Sequence, residues 1–306
     1  MNNFLRDDAE KIRAFLPSTL AEAFDYQFNR IVESDLAPLY HQYQLARLAG
    51  ISTSAIDDLI ARPAKHYRLF RLPKRSGGTR TIRAPLPALR AVQTTILRYC
   101  LAPAAPHEDA HAYVPGKSIV TNAAAHLSSR DFLKVDLVDF FGRIKQPDVR
   151  AVFSRLGYSD EACSFLGTLC TIKEALPQGA PSSPHISNLH FLDTDLALSI
   201  YTRENHLIYT RYADDITRSG AAISENQYRE IVSIIQRGGF LVNINKTRLA
   251  KNPKRKIITG LSISDHRICI PKRMKRDIRR EAHFLMRNGL QEELKFRGVF
   301  DPLLQE

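Results

Sequence analysis

In Tyr209-Thr210-Arg211-Tyr212-Ala213-Asp214-Asp215-Ile216-Thr217, two adjacent aspartates stand between strand-like runs, which puts them at or beside a hairpin tip. Aspartate favours turns, so the pair alone is compatible with an ordinary surface turn. Neighbouring carboxylates repel and tend to raise one pKa, so a fold that keeps them together usually supplies cations. Magnesium takes oxygen ligands from one or two carboxylates plus substrate phosphates. A further carboxylate ends an apolar strand in Phe132-Leu133-Lys134-Val135-Asp136-Leu137-Val138-Asp139-Phe140-Phe141. If that strand lies beside the hairpin, Asp136 joins Asp214 and Asp215 in one cluster. Two metals about 4 Å apart can then activate a 3′-hydroxyl and stabilise a leaving pyrophosphate. Such in-line phosphoryl transfer asks for positioning and charge neutralisation more than for covalent chemistry.

Outward from this centre the hydrophobic period changes several times. Residues 3 to 62 predict short helices, with Ser52 or Thr53 as a cap before Pro63. Tyr67 to Leu72 and Thr79 to Arg83 alternate about the turn Ser76-Gly77-Gly78, a hairpin signal. Leu86 to Leu101 returns to helical spacing. After the strand ending at Asp136 come helices within about 147 to 170, one helix at about 183 to 202, the aspartate hairpin at about 207 to 218, and a helix at about 225 to 237. Strand-like pieces follow at 240 to 244, near 256 to 263 and at 267 to 270. Strand, helix, two hairpinned strands and helix make an α+β sheet similar to a ferredoxin-like split βαβ. A last helix, about 271 to 287, carries Met274, Ile278, Ala282 and Leu285 on one face.

Lys and Arg outnumber Asp and Glu by 44 to 32, for a net charge of +12. Between Lys251 and Arg287 there are 12 basic and 3 acidic residues, so this segment alone carries +9. That concentration favours contact with a polyanion backbone over a merely solvated face. Cys100, Cys163, Cys170 and Cys269 form no metal-like spacing and are expected as small core residues in a reducing cytosol. No signal peptide or span of roughly 20 apolar residues is evident, so a cytoplasmic protein with no membrane partner is expected.

Tyr-Ala-Asp-Asp, the Asp136 strand and Leu176-Pro177-Gln178-Gly179-Ala180-Pro181-Ser182-Ser183-Pro184 together resemble reverse-transcriptase motifs in their usual order. Gly238-Gly239-Phe240-Leu241-Val242-Asn243 with Lys246-Thr247 resembles the next motif of the palm. Leu72-Pro73-Lys74 through Gly77-Gly78 to Arg80 and Arg83 is similar to the fingers hairpin that holds the incoming triphosphate. The resemblance covers about residues 65 to 270. It implies a right-hand polymerase with N-terminal helices and fingers at 1–130. A palm at 131–262 would contain a fingers insertion at about 145–175, and a short basic thumb would occupy 263–306. It implies that Asp136 and Asp214 are the principal ligands of two Mg2+ ions, replaceable by Mn2+, with Asp215 completing the cluster. Asp139 is secondary and would satisfy backbone or a neighbouring arginine. Phe141 matches the steric gate that excludes a ribonucleotide 2′-hydroxyl. Gln178 and Gly179 would position the nascent base pair and template. Lys74, Arg80 and Arg83 would clamp the deoxynucleoside triphosphate. Lys246 would protonate or stabilise pyrophosphate, or is a surface lysine.

Two further patches resemble the bacterial retron branch. Ala112-Tyr113-Val114-Pro115-Gly116-Lys117-Ser118-Ile119 leads into Asn122-Ala123-Ala124-Ala125-His126, an Asn-Ala-x-x-His signature whose two polar residues lie four apart. RNA recognition or support of the site is the expected role of Asn122 and His126. Ile258-Thr259-Gly260-Leu261 departs from the family's Val-Thr-Gly only by one methylene, and Thr259 and Gly260 are expected to contact RNA. Arg273, Arg276 and Arg280 are expected on nucleic-acid backbone. The resemblance implies an enzyme that binds its own structured noncoding RNA and primes from a guanosine 2′-hydroxyl. It would make branched multicopy single-stranded DNA (msDNA), in phage defence with a separate toxic effector. A group II intron enzyme usually carries a larger thumb and further domains, and a diversity-generating enzyme would lack the Asn122/His126 signature. A non-catalytic RNA-binding scaffold would not need the carboxylates. Gly289 to Glu306 carries no usable motif.

Overall fold

The computed structural model describes residues 3–73, 78–264 and 267–296. Four helices open the chain: α1 (Asn3–Ala14), α2 (Ser18–Glu33), α3 (Gln42–Ala49) and α4 (Thr53–Ala61). Gly50 ends α3 in the left-handed conformation, and the Ser52 hydroxyl then caps α4 by accepting from the Ala55 amide at 3.2 Å. Strands β1 (Tyr67–Pro73) and β2 (Thr79–Pro85) form the antiparallel hairpin expected from their alternation. Helix α5 (Pro87–Ile96) widens into a π-turn at Leu97–Leu101, and α6 (Ile119–Ala124) follows, capped by Ser118.

Then come β3 (Asp131–Asp136), α7 (Phe140–Arg143), α8 (Gln146–Arg155), α9 (Asp160–Cys170), α10 (Ser183–His190), α11 (Leu192–Glu204), β4 (Ile208–Tyr212), β5 (Asp215–Gly220), α12 (Glu225–Arg237) and β6 (Arg248–Ala250). The four strands form one antiparallel sheet in the order β4-β5-β3-β6. Strand β5 therefore separates β3 from β4, the split βαβ arrangement expected from the element order. A separate three-stranded sheet holds β7 (Lys256–Ile258), β8 (Leu261–Ser264) and β9 (Arg267–Cys269). Helix α13 (Lys272–Phe296) ends the described chain, broken at Gly289, where φ is 79°.

Two expectations need correction. The segment 240–244 makes only a bridge between Leu137 and Val242, and the fourth strand of the sheet lies later, at β6. A turn in which the Lys246 and Thr247 amides both donate to the Asn243 carbonyl interrupts the extended run. The segment 183–202, expected as a single helix, is two, α10 and α11, whereas 147–170 holds the helices expected there, α8 and α9.

The main core joins α3, α4 and α5 to β3, α8, α9 and α12 through residues such as Leu45, Ile56, Val92, Val135, Phe153, Leu166 and Ile235. Cys100, Cys163 and Cys170 are buried and Cys269 half-buried, so the core expectation holds for three of the four. A smaller cluster of Ala123, Phe132, Ile258, Leu261 and Ile263 lies where α6 packs between the two sheets. The apolar stripe of α13 stays partly open, with Met274, Ile278 and Leu285 38%, 50% and 37% exposed.

His126 follows α6 and is fully buried. One ring nitrogen bonds the Ser219 hydroxyl at 2.6 Å and the other the Thr210 hydroxyl at 2.7 Å, so it ties the hairpin β4–β5 to α6. Burial pushes its pKa down to about 3, with His111 and Lys134 adding to the effect. The folded ring is neutral, whereas an unfolded one gains a proton below about 6.5. Its contribution to stability is therefore complete above pH 6.5 and is lost as pH falls toward 3. At pH 5 this one residue should remove about 2 kcal/mol relative to pH 7.5. Urea unfolding at the two pH values should show a His126→Gln variant that is less stable at pH 7.5 yet loses less on acidification. An equal acid loss in variant and parent would refute the assignment.

Candidate active site

Pairing of β3 with β5 sets Asp136 opposite Asp215, and pairing of β4 with β5 sets Tyr212 opposite Asp215. The hairpin loop is therefore Ala213-Asp214 alone, and Asp214 stands at its tip. Ala213 has φ 56° in a position that favours glycine, so the turn holds backbone strain of about 1 kcal/mol or more. Main-chain bonds lock the neighbours: the Leu137 amide donates to the Asp214 carbonyl at 3.2 Å, and the Asn243 amide to the Asp136 carbonyl at 2.8 Å.

Asp136 is buried and its two carboxylate oxygens each accept from Lys246 Nζ at 2.9 Å. Burial raises the pKa of Asp214, with Asp136 contributing, while its own backbone amide, Arg80 and Lys246 oppose. Burial, then Asp214, then Asp136 push Asp215 up to about 6, against Lys134 and Lys246. The cluster thus carries more negative charge than its lysines neutralise, which is the electrostatic demand of a divalent cation on hard oxygen donors. Among the described residues no group of three His, Cys, Asp or Glu side chains is arranged to enclose an ion by itself. A site that completes its coordination with substrate phosphates fits that geometry. Lys134 was missed in the sequence, although standing two residues before Asp136 puts it on the same strand face.

The turn is held from behind by a buried network. Arg211 donates to Asp195 through Nε at 2.8 Å and Nη2 at 2.6 Å, with both side chains wholly inaccessible. Its Nη1 donates to the Asn188 side-chain oxygen at 3.1 Å and to the Ala213 carbonyl at 3.3 Å. The Tyr209 hydroxyl also donates to Asp195, and the guanidinium lies over the Phe191 ring at 4.5 Å. Asn188 in turn donates to the Ala112 carbonyl at 2.9 Å. No local pattern marks these residues, because Asp195 and Arg211 are 16 apart in the chain.

Beside the carboxylates lies a cleft of about 430 Å³ lined by Ala84, Arg90, Tyr113, Phe141, Gln178 and Gly179, among others. Gly179 has φ 119°, and a side chain there would meet Ile82 Cγ2 at 2.7 Å and the Arg83 carbonyl at 3.1 Å. The Arg83 amide donates to the Gln178 carbonyl at 2.8 Å, so strand β2 docks directly on this turn. Arg80 is exposed on β2 and acts electrostatically on Asp214. Lys74 lies outside the described residues. Asp139 has φ 48°, is exposed, and precedes α7 without a side-chain capping bond.

The two retron-like patches differ in exposure. Asn122 and His126 are both buried, so neither side chain reaches a surface where RNA could touch it. Asn122 instead donates to the Thr259 hydroxyl at 3.3 Å. Thr259 and Gly260 form the two-residue turn between β7 and β8, with φ 44° and 84°. Positive φ at both positions is what a type I′ turn requires, and it is unusual for a β-branched residue. Gly260 is exposed and Thr259 half-exposed. Arg273, Arg276 and Arg280 are exposed on α13, where Asp277 lies 4.0 Å from Arg273 and 3.5 Å from Arg280.

The family described as reverse transcriptase (RNA-dependent DNA polymerase) matches residues 72–286. The chain belongs to the reverse transcriptase family. Its architecture is that of a right-hand polymerase, and the family generally depends on a divalent metal. The chain is similar to the Retron Ec86 reverse transcriptase of Escherichia coli, 31% identical over 90% of this chain and 87% of that protein. It is 32% identical to the Retron Mx162 reverse transcriptase of Myxococcus xanthus over 80% of this chain and 58% of that protein. With the Retron Mx65 reverse transcriptase of the same organism the identity is 34%, over 72% and 57%. The chain thus spans less than two thirds of the length of both Myxococcus relatives. No helix among the described residues is long and apolar enough to cross a membrane.

Gly179→Ala should test the docking of β2 on the cleft. The added methyl must displace Ile82 or the Arg83 backbone, at a cost of about 1–3 kcal/mol. Thermal melting should fall accordingly, and KM for the nucleotide should rise with kcat less affected. A variant with unchanged melting and KM would show that the close approach does not matter.

Proposed function

We propose that this chain is a retron-type RNA-directed DNA polymerase. The observation that carries the reading is the strand register that brings Asp136 opposite Asp215 with Asp214 at the adjoining tip, in a reverse transcriptase whose relatives are retron enzymes. Asp136, Asp214 and Asp215 would hold Mg2+, or Mn2+ in its place, which supplies charge neutralisation and an activated 3′-hydroxyl when bound. The protein's own part is positional. Arg80 and Arg83, with Lys74, hold the triphosphate of the incoming deoxynucleotide. Gln178 and the Gly179 backbone seat the nascent base pair, and Phe141 stands where a ribose 2′-hydroxyl would come. Lys246, the cation already on Asp136, is available to the leaving pyrophosphate.

The template in this reading is a cognate structured noncoding RNA, primed from a guanosine 2′-hydroxyl and copied into branched msDNA. Its backbone would meet the exposed arginines Arg273, Arg276 and Arg280, and the turn Thr259–Gly260 would make a specific contact. Asn122 and His126 support that surface from within. The enzyme would act in the cytoplasm, in anti-phage defence, with a separate effector protein.

The test is purification from the host with bound nucleic acid, alongside an Asp214→Ala/Asp215→Ala double variant. Denaturing gels before and after RNase and DNase should show a discrete DNase-sensitive DNA in the parent that shifts on RNase treatment. The variant should lack the DNA and retain RNA. If both carried the same RNA and no DNA, even with added magnesium and deoxynucleotides, the scaffold reading would replace the polymerase.

A further inference from the structure

We propose that Tyr113 is a specificity-determining residue of this polymerase: its ring forms, with Phe141, the surface against which the sugar of the incoming nucleotide packs. The inference rests on the polymerase reading above and assigns a residue that the motif resemblance left without a role.

Tyr113 lies in the segment between α5 and α6, far from the strands that carry the carboxylates. Its ring nevertheless reaches the cleft that holds Phe141, Gln178 and Gly179. The two aromatic centroids are 6.5 Å apart with planes at 59°, within the range of a tilted ring pair. Phe141 also meets Phe140, edge-on at 5.4 Å. The gate ring thus contacts a buried aromatic and a half-exposed one. Tyr113 is 49% exposed although large and aromatic, which leaves a face of the ring free for a ligand.

The backbone there is fixed rather than loose. Tyr113 has φ 61°, a left-handed conformation that bulky residues rarely adopt and that surrounding structure must enforce. The enforcing contacts lie on the preceding residues. The Ala112 carbonyl accepts from the buried Asn188 side chain, and the His111 amide donates to the Arg211 carbonyl at 2.8 Å. Asn188 and Arg211 are also joined to each other, and Arg211 holds the Ala213 carbonyl. One buried cluster therefore grips the residue before Tyr113 and the residue before Asp214. The aromatic wall and the catalytic tip are set in register by the same two side chains. Asp214, Tyr212 and Arg80 also act electrostatically on the Tyr113 phenol, which puts the ring near the carboxylate tip.

A sugar packed against the joint surface of Phe141 and Tyr113 meets both rings, so both determine which sugars are admitted. The measurement is single-nucleotide incorporation of dGTP and of GTP on an RNA template with a DNA primer, by the full chain, comparing the ratio of kcat/KM for the two nucleotides. Tyr113→Ala should lower this deoxy-over-ribo ratio on the order of tenfold, and KM for dGTP should rise more than kcat falls. Tyr113→Phe keeps the ring and should stay within about twofold of the parent. Thermal melting and retained RNA serve as fold controls, and the exposed position makes both variants compatible with folding. Phe141→Ala, assayed in parallel, judges the gate assignment separately. If Tyr113→Ala leaves the ratio unchanged, the proposal is overturned, whatever Phe141→Ala does. If Tyr113→Phe loses the ratio as fully as Tyr113→Ala, the packing argument is overturned as well. A polymerase inactive with dGTP in the parent would instead reject the reading on which the proposal rests.

Discussion

The buried ion pair between Arg211 and Asp195 is the interaction on which the rest of the site depends. Taking both charges out of water costs several kcal/mol each, and the attraction offsets this only with good geometry and full hydrogen bonding. Both conditions are met: a two-pronged contact, a tyrosine hydroxyl on the same carboxylate, an amide and a carbonyl on the remaining guanidinium nitrogen, and an aromatic face beneath. Removal of one partner from such a pair typically costs about 3–5 kcal/mol, because the other is left charged and buried. What this network holds is a strained two-residue turn, with Ala213 at a positive φ. A turn that would relax on its own is kept at the one place where Asp214 can face Asp136.

A second constraint is charge balance within the cluster. Asp136 is neutralised by Lys246, whereas Asp214 and Asp215 have only more distant cations against the cost of their burial. The protein has thus assembled a site that is electrostatically incomplete by construction. The same device operates in reverse behind the sheet. There His126 is kept neutral between two hydroxyls, a polar tie that adds no charge to an already crowded field.

Much of this was legible from residue patterns. The alternation about Tyr212 and Asp215 located the hairpin tip, the apolar run into Asp136 located its neighbour, and the order of elements anticipated the sheet. Local patterns worked because strands and turns are short-range events. They failed where tertiary contacts decide. A strand was expected at 240–244, but the Asn243 carbonyl draws back two amides into a turn and the pairing moves to β6. For Asn122 and His126 both RNA recognition and support of the site stayed open, because four-residue spacing says which side they share and not whether that side is buried. Arg211 stood in plain sight within the aspartate hairpin, yet its partners Asp195 and Asn188 belong to helices that nothing in the hairpin identifies. Tyr113 was quoted as part of a motif without a role, since its place beside Phe141 arises only when two distant segments meet.

The pairing of β3 has a temporal consequence. It is the central strand, yet its partners are Asp215–Gly220 and Arg248–Ala250, so Asp131 must wait for Gly220 and Phe132 for Ala250. At ribosomal speeds of roughly 5–20 residues per second, about 90 residues of further synthesis leave β3 without its first partner for some 4–18 seconds. Throughout that interval an apolar strand has both edges open while the N-terminal helices are already complete. Long-range pairing of this kind is slow to form and exposed to misassociation. This sheet therefore stays open to misassociation until β6 has emerged, and the carboxylates cannot come together before Asp215 has left the ribosome.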